Sequence, residues 1–158
     1  MSSLRMIGVL VLILAAQAVR ADPCKVSIEA NDNMQFNMRE IVVPSTCEAV
    51  EVTLRHSGKL GAKVMGHDWV LAKDADVSAI VNGGLSAGFS RGLLPQNVKR
   101  IIAATKVVGG GESDTISFNT SSLAAGLRYV FFCTSPGHST VMRGAFLFGD
   151  PTRLAKRP

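Results

Sequence analysis

Tyr129-Val-Phe-Phe-Cys133-Thr-Ser-Pro-Gly-His138-Ser-Thr-Val-Met142-Arg-Gly-Ala-Phe-Leu-Phe148 is the most informative stretch of this 158-residue chain. Aromatic and β-branched residues make Arg128–Phe132 a strand, and that strand carries Cys133 to the end of a sheet. Pro136-Gly137 then turns the chain sharply, because proline presets one backbone angle and glycine tolerates the left-handed region. His138 is thereby brought back toward Cys133. Met142 follows four residues later, where the next strand, Gly144–Phe148, opens. A single loop between two strands therefore aims a thiol, an imidazole and a thioether at one point.

The chain around this hairpin has the same character. Val26, Ile28 and Ala30 alternate with polar residues in Lys25–Ala30, as do Val50, Val52 and Leu54 in Val50–Leu54. Asp68–Ala72, Arg100–Ala104 and Thr115–Phe118 are further candidate strands. Short period-two runs broken by Gly, Pro, Asn and Ser predict an all-β sandwich or barrel. Asp74–Leu85 departs from this pattern. Val77, Ile80 and Val81 fall at helical spacing, and Gly83-Gly84 follows, which predicts a short helix in a long connection, ended by glycine. Gly109-Gly110-Gly111 predicts a turn.

The ends have a different composition. Arg5 precedes an almost unbroken apolar run, Met6–Ala16, and small residues follow it. This is the pattern of a cleaved export signal, residues 1–21, with cleavage after Ala21 or, as the rival, after Ala18. The run is shorter than the roughly 20 residues needed to span a bilayer, so no membrane anchor is expected after cleavage. Residues 22–149 form the expected domain, and 150–158 a basic, disordered tail. The whole chain has 17 Lys+Arg and 12 Asp+Glu, a net charge of +5. Losing Arg5 and Arg20 lowers this to 15 − 12 = +3. So mild a charge, with no basic patch interleaved with aromatics, argues against a nucleic-acid partner.

An oxidising compartment favours pairing two of the three cysteines. Cys24 and Cys47 are close in sequence and each borders a strand-like run, which leaves Cys133 over. An odd thiol in an exported chain needs an occupant, and a metal is one. His67, at the start of Asp68–Ala72, supplies a second imidazole. Thiolate and thioether suit Cu(I), while imidazole suits both Cu(I) and Cu(II). Zinc is the chemical competitor, but thioether is a poor ligand for it. A Cys–His nucleophile pair would need a cleft and an orienting group, and the sequence shows neither. The expected cofactor is therefore one copper ion cycling between Cu(I) and Cu(II).

Asn31-Asp32-x-Met34-Gln35-Phe36-Asn37, Val64-Met65-Gly66-His67-x-Trp69-Val70-Leu71 and Phe131-Phe132-Cys133-Thr134-x-Pro136-Gly137-His138-Ser139, with Met142, closely resemble the azurins, blue-copper proteins of the cupredoxin family. The likeness runs from Cys24 to about Phe148. It implies a Greek-key β-sandwich or barrel of about eight strands with one short helix. It implies copper ligands His67, Cys133, His138 and Met142, with the Gly66 backbone carbonyl as a weak axial contact, and a Cys24–Cys47 disulfide. It places Trp69 in the core and makes His56 a buried histidine near the site. Leu60, Val64, Met65, Leu85 and Val141 correspond to an apolar patch around His138, where cytochromes or reductases would dock. The implied activity is single-electron transfer in the periplasm rather than catalysis. The chain departs from the family beside the ligands. Asp68 stands where azurins have Asn, and Ser135, next to Thr134, where they often have Phe. An ionised Asp68 would favour Cu(II), and the smaller Ser135 would admit water. Both changes predict a lower reduction potential.

Overall fold

A computed structural model describes residues 24–149; the segments expected to be an export signal and a basic tail lie outside them. Among the described residues nine strands form two mixed sheets. They are β1 Cys24–Asn31, β2 Gln35–Phe36, β3 Glu40–Pro44, β4 Ala49–His56, β5 Val70–Lys73, β6 Ile101–Ala104, β7 Ser113–Asn119, β8 Tyr129–Phe132 and β9 Arg143–Gly149. One sheet has the order β2-β1-β4-β7 and the other β3-β9-β8-β5-β6. β1 pairs with β4, and β3 with β9, in parallel; the other pairs are antiparallel. Two α-helical segments interrupt the strands, a single turn α1, Ala62–Met65, and α2, Val77–Ala87. The architecture is the expected Greek-key β-sandwich.

Alternation builds the space between the sheets. Along β4, Val50, Val52, Leu54 and His56 point inward and are fully buried, while Glu51, Thr53 and Arg55 lie on the other face. Ile28 and Ala30 from β1, and Trp69, Leu71, Phe131 and Phe146 from the opposite side, complete this core. Trp69 lies 6.2 Å from Phe131 and 6.4 Å from Phe146, ring to ring. The five-stranded sheet is covered on its second face as well. There Val77 and Ile80 of α2 pack on Val70, Ala72 and Phe132. This is why Val70-Leu71-Ala72 is continuously apolar rather than alternating: neighbouring residues enter different cores.

The helix runs further than its glycines suggest. Gly83 and Gly84 lie inside α2, and Gly88, with φ +78°, follows its end. A β-carbon at Gly84 would run into the Leu93 backbone carbonyl, so close packing, not termination, explains that glycine. Gly110 and Gly111 do lie in a turn. Cys24 and Cys47 are joined in a disulfide. Among the described residues no helix is long and apolar enough to cross a membrane.

Candidate metal centre

The site lies at one end of the sandwich, where β1, the segment before β5, and the β8–β9 loop meet. His67 is fixed by its backbone. Its amide donates to the Val108 carbonyl at 3.0 Å, and the Val108 amide donates back at 2.8 Å. Its ring is fixed from the other side by the Asn31 carbonyl, 2.9 Å from Nε2 at the end of β1. Nε2 therefore carries the proton, and Nδ1 is left as a free acceptor. Cys133 follows β8, and its amide donates to the Met142 carbonyl at 3.0 Å. The left-handed Gly137 (φ +80°) makes the turn expected of Pro136-Gly137 and leads into a 3₁₀ turn, His138–Thr140. The amides of Val141 and Met142 both donate to the His138 carbonyl. Met142 is fully buried in the same core cluster as Cys133.

The donor atoms converge. Cys133 Sγ is 3.5 Å from His138 Nδ1 and 3.9 Å from His67 Nδ1. One ligand atom each of His67, Cys133 and His138 lies within 4.8 Å of the others. His67 and Cys133 are completely buried, and His138 retains 6% exposure. Burial lowers the His67 pKa to about 4 and also depresses that of His138, so both rings are neutral at pH 7. Burial drives the Cys133 thiol far above its ordinary range, and the Asp68 carboxylate adds to the effect. A bound cation reverses that balance and holds the sulfur as thiolate. Two neutral imidazoles and one soft sulfur, clustered in a dry site, fit a copper ion.

The surrounding contacts tie the segment around His67 to the loop after Cys133. Asp68 is completely buried; its Oδ1 accepts the Thr134 amide at 2.7 Å, and its Oδ2 accepts the Thr134 hydroxyl at 2.5 Å. Burial raises the Asp68 pKa to about 6, against the pull of these bonds. The Ser135 hydroxyl donates to the Gly66 carbonyl at 2.6 Å. Beside Ser135, a pocket of about 580 Å³ opens between Gly66, Val64, Leu85, Phe89, Pro136 and His138.

Three further features were not read from the sequence. The Asn31 contact is made by a backbone carbonyl, which has no sequence signature. Arg39 Nη1 donates to the carbonyls of Val141 and Arg143 at 2.6 and 3.2 Å, bracketing Met142. Phe89 joins Val64 and Leu85 beside His138. His56 is buried against His67, the ring centroids 4.6 Å apart. Its Nε2 lies 3.1 Å from Asp32 Oδ1, without the alignment of a hydrogen bond. Backbone donors, chiefly the Lys59 amide, hold the Asp32 pKa below its ordinary value.

Residues 22–148 match the model of the copper-binding proteins of the plastocyanin/azurin family. The chain belongs to that family. It is 46% identical over 127 residues to azurin-1 of Alcaligenes xylosoxydans xylosoxydans, covering 80% of this chain and 98% of that protein. It is 45% identical over 122 residues to the azurin of Pseudomonas chlororaphis, covering 77% and 95%. With the azurin of Bordetella pertussis it shares 43% identity over 147 residues, covering 92% and 98%. As in this family of copper-binding proteins, the cofactor is copper, and the His67, Cys133 and His138 cluster could hold one ion.

Proposed function

We propose that this chain is a periplasmic carrier of single electrons, and not an enzyme, whose copper ion would be held closely by His67, Cys133 and His138 and more weakly by Met142 and the Gly66 carbonyl. The observation that carries this reading is the trio of buried donor atoms within 4.8 Å of one another, with His138 alone reaching the surface. Bound copper supplies a one-electron couple between Cu(I) and Cu(II). The protein supplies a geometry that resists change. The Asn31 carbonyl sets the His67 ring, Asp68 holds the Thr134 backbone and hydroxyl, and Arg39 fixes the two carbonyls that flank Met142. Ligands so held do not rearrange when the charge at their centre changes, which keeps the cost of each transfer small. Burial excludes water and leaves no position for a substrate between the ligands.

Electrons enter and leave at His138. Val64 and Leu85 line a pocket with it, the Val141 amide donates to its carbonyl, and these three side chains are exposed by 45–72%, as Leu60 is by 41%. Exposed apolar side chains grouped at one end suit transient docking by a redox protein such as a cytochrome or a reductase. Residues 1–21 direct export and are removed, residues 22–149 are the carrier, and the basic tail 150–158 follows it.

Copper(II) added to the apoprotein should give an intense visible thiolate-to-copper band, bleached by one electron equivalent and restored on reoxidation. Self-exchange between oxidised and reduced protein should be fast. A colourless protein that retains zinc would refute the reading, and slow self-exchange would point to copper storage instead.

A further inference from the structure

Gly66 and Ser135 make a contact that the ligand set does not itself require. Gly66 ends α1 and immediately precedes His67. Its backbone lies in a slot, since a β-carbon there would meet Val107 Cγ1 at 2.6 Å and the Ala62 carbonyl oxygen closer still. The residue is buried, so bulk water does not serve its carbonyl. The Ser135 hydroxyl does, at 2.6 Å, from the opposite ligand loop. Ser135 is only 5% exposed, and its own carbonyl accepts the His138 amide at 2.9 Å. The hydroxyl is therefore held in place by the same loop that carries Cys133, His138 and Met142.

This contact bears on the choice of metal. A carbonyl oxygen has two lone pairs, and an O–H donor occupies one of them. It also draws electron density toward its proton, which leaves the oxygen a weaker ligand. Metals differ in their need for that oxygen. Zinc takes thiolate, imidazole and oxygen in fourfold sites, whereas thioether is a soft ligand suited to Cu(I). Both oxygens of the nearby Asp68 carboxylate are engaged by Thr134, so beside two imidazoles, a thiolate and a thioether the Gly66 carbonyl is the hard donor left for zinc.

We propose that Ser135 is a specificity-determining residue whose hydroxyl engages the Gly66 carbonyl and biases the site toward copper and against zinc. The inference rests on the copper-site reading above. Ser135 acts through the carbonyl as a positioning residue, not as a ligand. A Phe at this position would offer no hydroxyl, so the bias belongs to this chain's own departure from its family pattern.

The test compares wild-type apoprotein with Ser135→Ala, which removes the donor, and Ser135→Thr, which keeps it. Zinc and Cu(I) affinities are measured by chelator competition at one pH. Contacts behind metal ligands typically change affinity by 10–100-fold. Ser135→Ala should therefore bind zinc about 10-fold more tightly while its Cu(I) affinity changes by less than about 3-fold, and Ser135→Thr should restore the wild-type ratio. Ser135→Val, matched to Thr in shape, repeats the comparison without enlarging the pocket and serves if Ser135→Ala does not fold. An unchanged copper-to-zinc ratio in the variants lacking the hydroxyl, or a Thr variant that behaves like them, overturns this inference alone. A wild-type protein that gives no thiolate-to-copper band overturns the copper-site reading and this inference with it.

Discussion

Protonation decides how Cys133 meets a metal. In the apoprotein its thiol stays protonated at pH 7, because burial raises its pKa far above the ordinary value. His67, lowered to about 4, and His138, lowered likewise, have already lost their protons. Asp68, raised to about 6, is mostly ionised. Binding at pH 7 should then release about one proton per metal ion, from Cys133, and apparent affinity should rise about tenfold per pH unit between pH 7 and 9. Titration calorimetry in two buffers of different ionisation enthalpy counts that proton; a count near zero would mean that the thiolate exists before the metal arrives. Asp68 acts on the same sulfur. Ionised, it places a negative charge beside Cys133 and favours Cu(II). Asp68→Asn keeps an oxygen for the Thr134 amide but removes the charge, so the reduction potential should rise. A tenfold shift in the Cu(I)/Cu(II) preference equals about 59 mV in a one-electron couple. Redox titration of the two proteins decides the matter, and an unchanged or lower potential in the variant refutes the role given to Asp68.

Elements differ in how openly the sequence declares them. β4 was legible because Val50, Val52, Leu54 and His56 alternate with polar residues, and one face of that strand is buried. The Cys133–Met142 loop was legible because the spacing of its chemistry and its Pro-Gly turn are local. β3 was not. Its Ile41 and Val43 are buried, but Val42 between them is 44% exposed, and that apolar residue on the outer face hides the alternation. α1 has four residues, too few to leave a helical period. Ser135 reaches the backbone carbonyl of Gly66, and Asn31 offers its own backbone carbonyl to the His67 ring; both pairings are distant in sequence, and no local pattern reveals them. The glycines of α2 misled for a related reason, since their role lies in what packs on them. Gly84 touches the Leu93 carbonyl, and an added methyl group would have to displace that backbone. Gly84→Ala gains about 1 kcal/mol in helix propensity and loses about 1–3 kcal/mol to overpacking. The net expectation is a less stable protein, read as a lower midpoint in urea. A variant as stable as wild type would show that the segment around Leu93 yields easily.

At the scale of the whole molecule, the sandwich separates its staple from its metal centre. Parallel pairing of β1 and β4 runs from Cys24 opposite Val50 to Ala30 opposite His56. Six residue steps of roughly 3.3 Å put about 20 Å between these ends. The disulfide holds the first end, where the Thr120 hydroxyl also donates to the Cys47 carbonyl at 2.6 Å. Asn31 and His56, both against His67, mark the second. Between them lies the core with Trp69, the only tryptophan, fully buried and with no partner for its indole N–H among the described residues. Its emission should be blue-shifted in the folded state and move to the red on unfolding, which makes it a reporter of the core. Replacing both Cys24 and Cys47 with Ser removes a cross-link between residues 23 apart. Loop-closure entropy puts the loss at about 3 kcal/mol, measured as a lower urea midpoint of Trp69 emission. Contacts that position the ligands come from Asn31, Arg39, Asp68 and Val108, none of which touches the disulfide. The copper-loaded double variant, while folded, should therefore keep the wild-type visible band. Loss of that band below the unfolding transition would show that the two ends are mechanically coupled, and the rigidity assigned to the ligand loops would then belong to the whole sandwich.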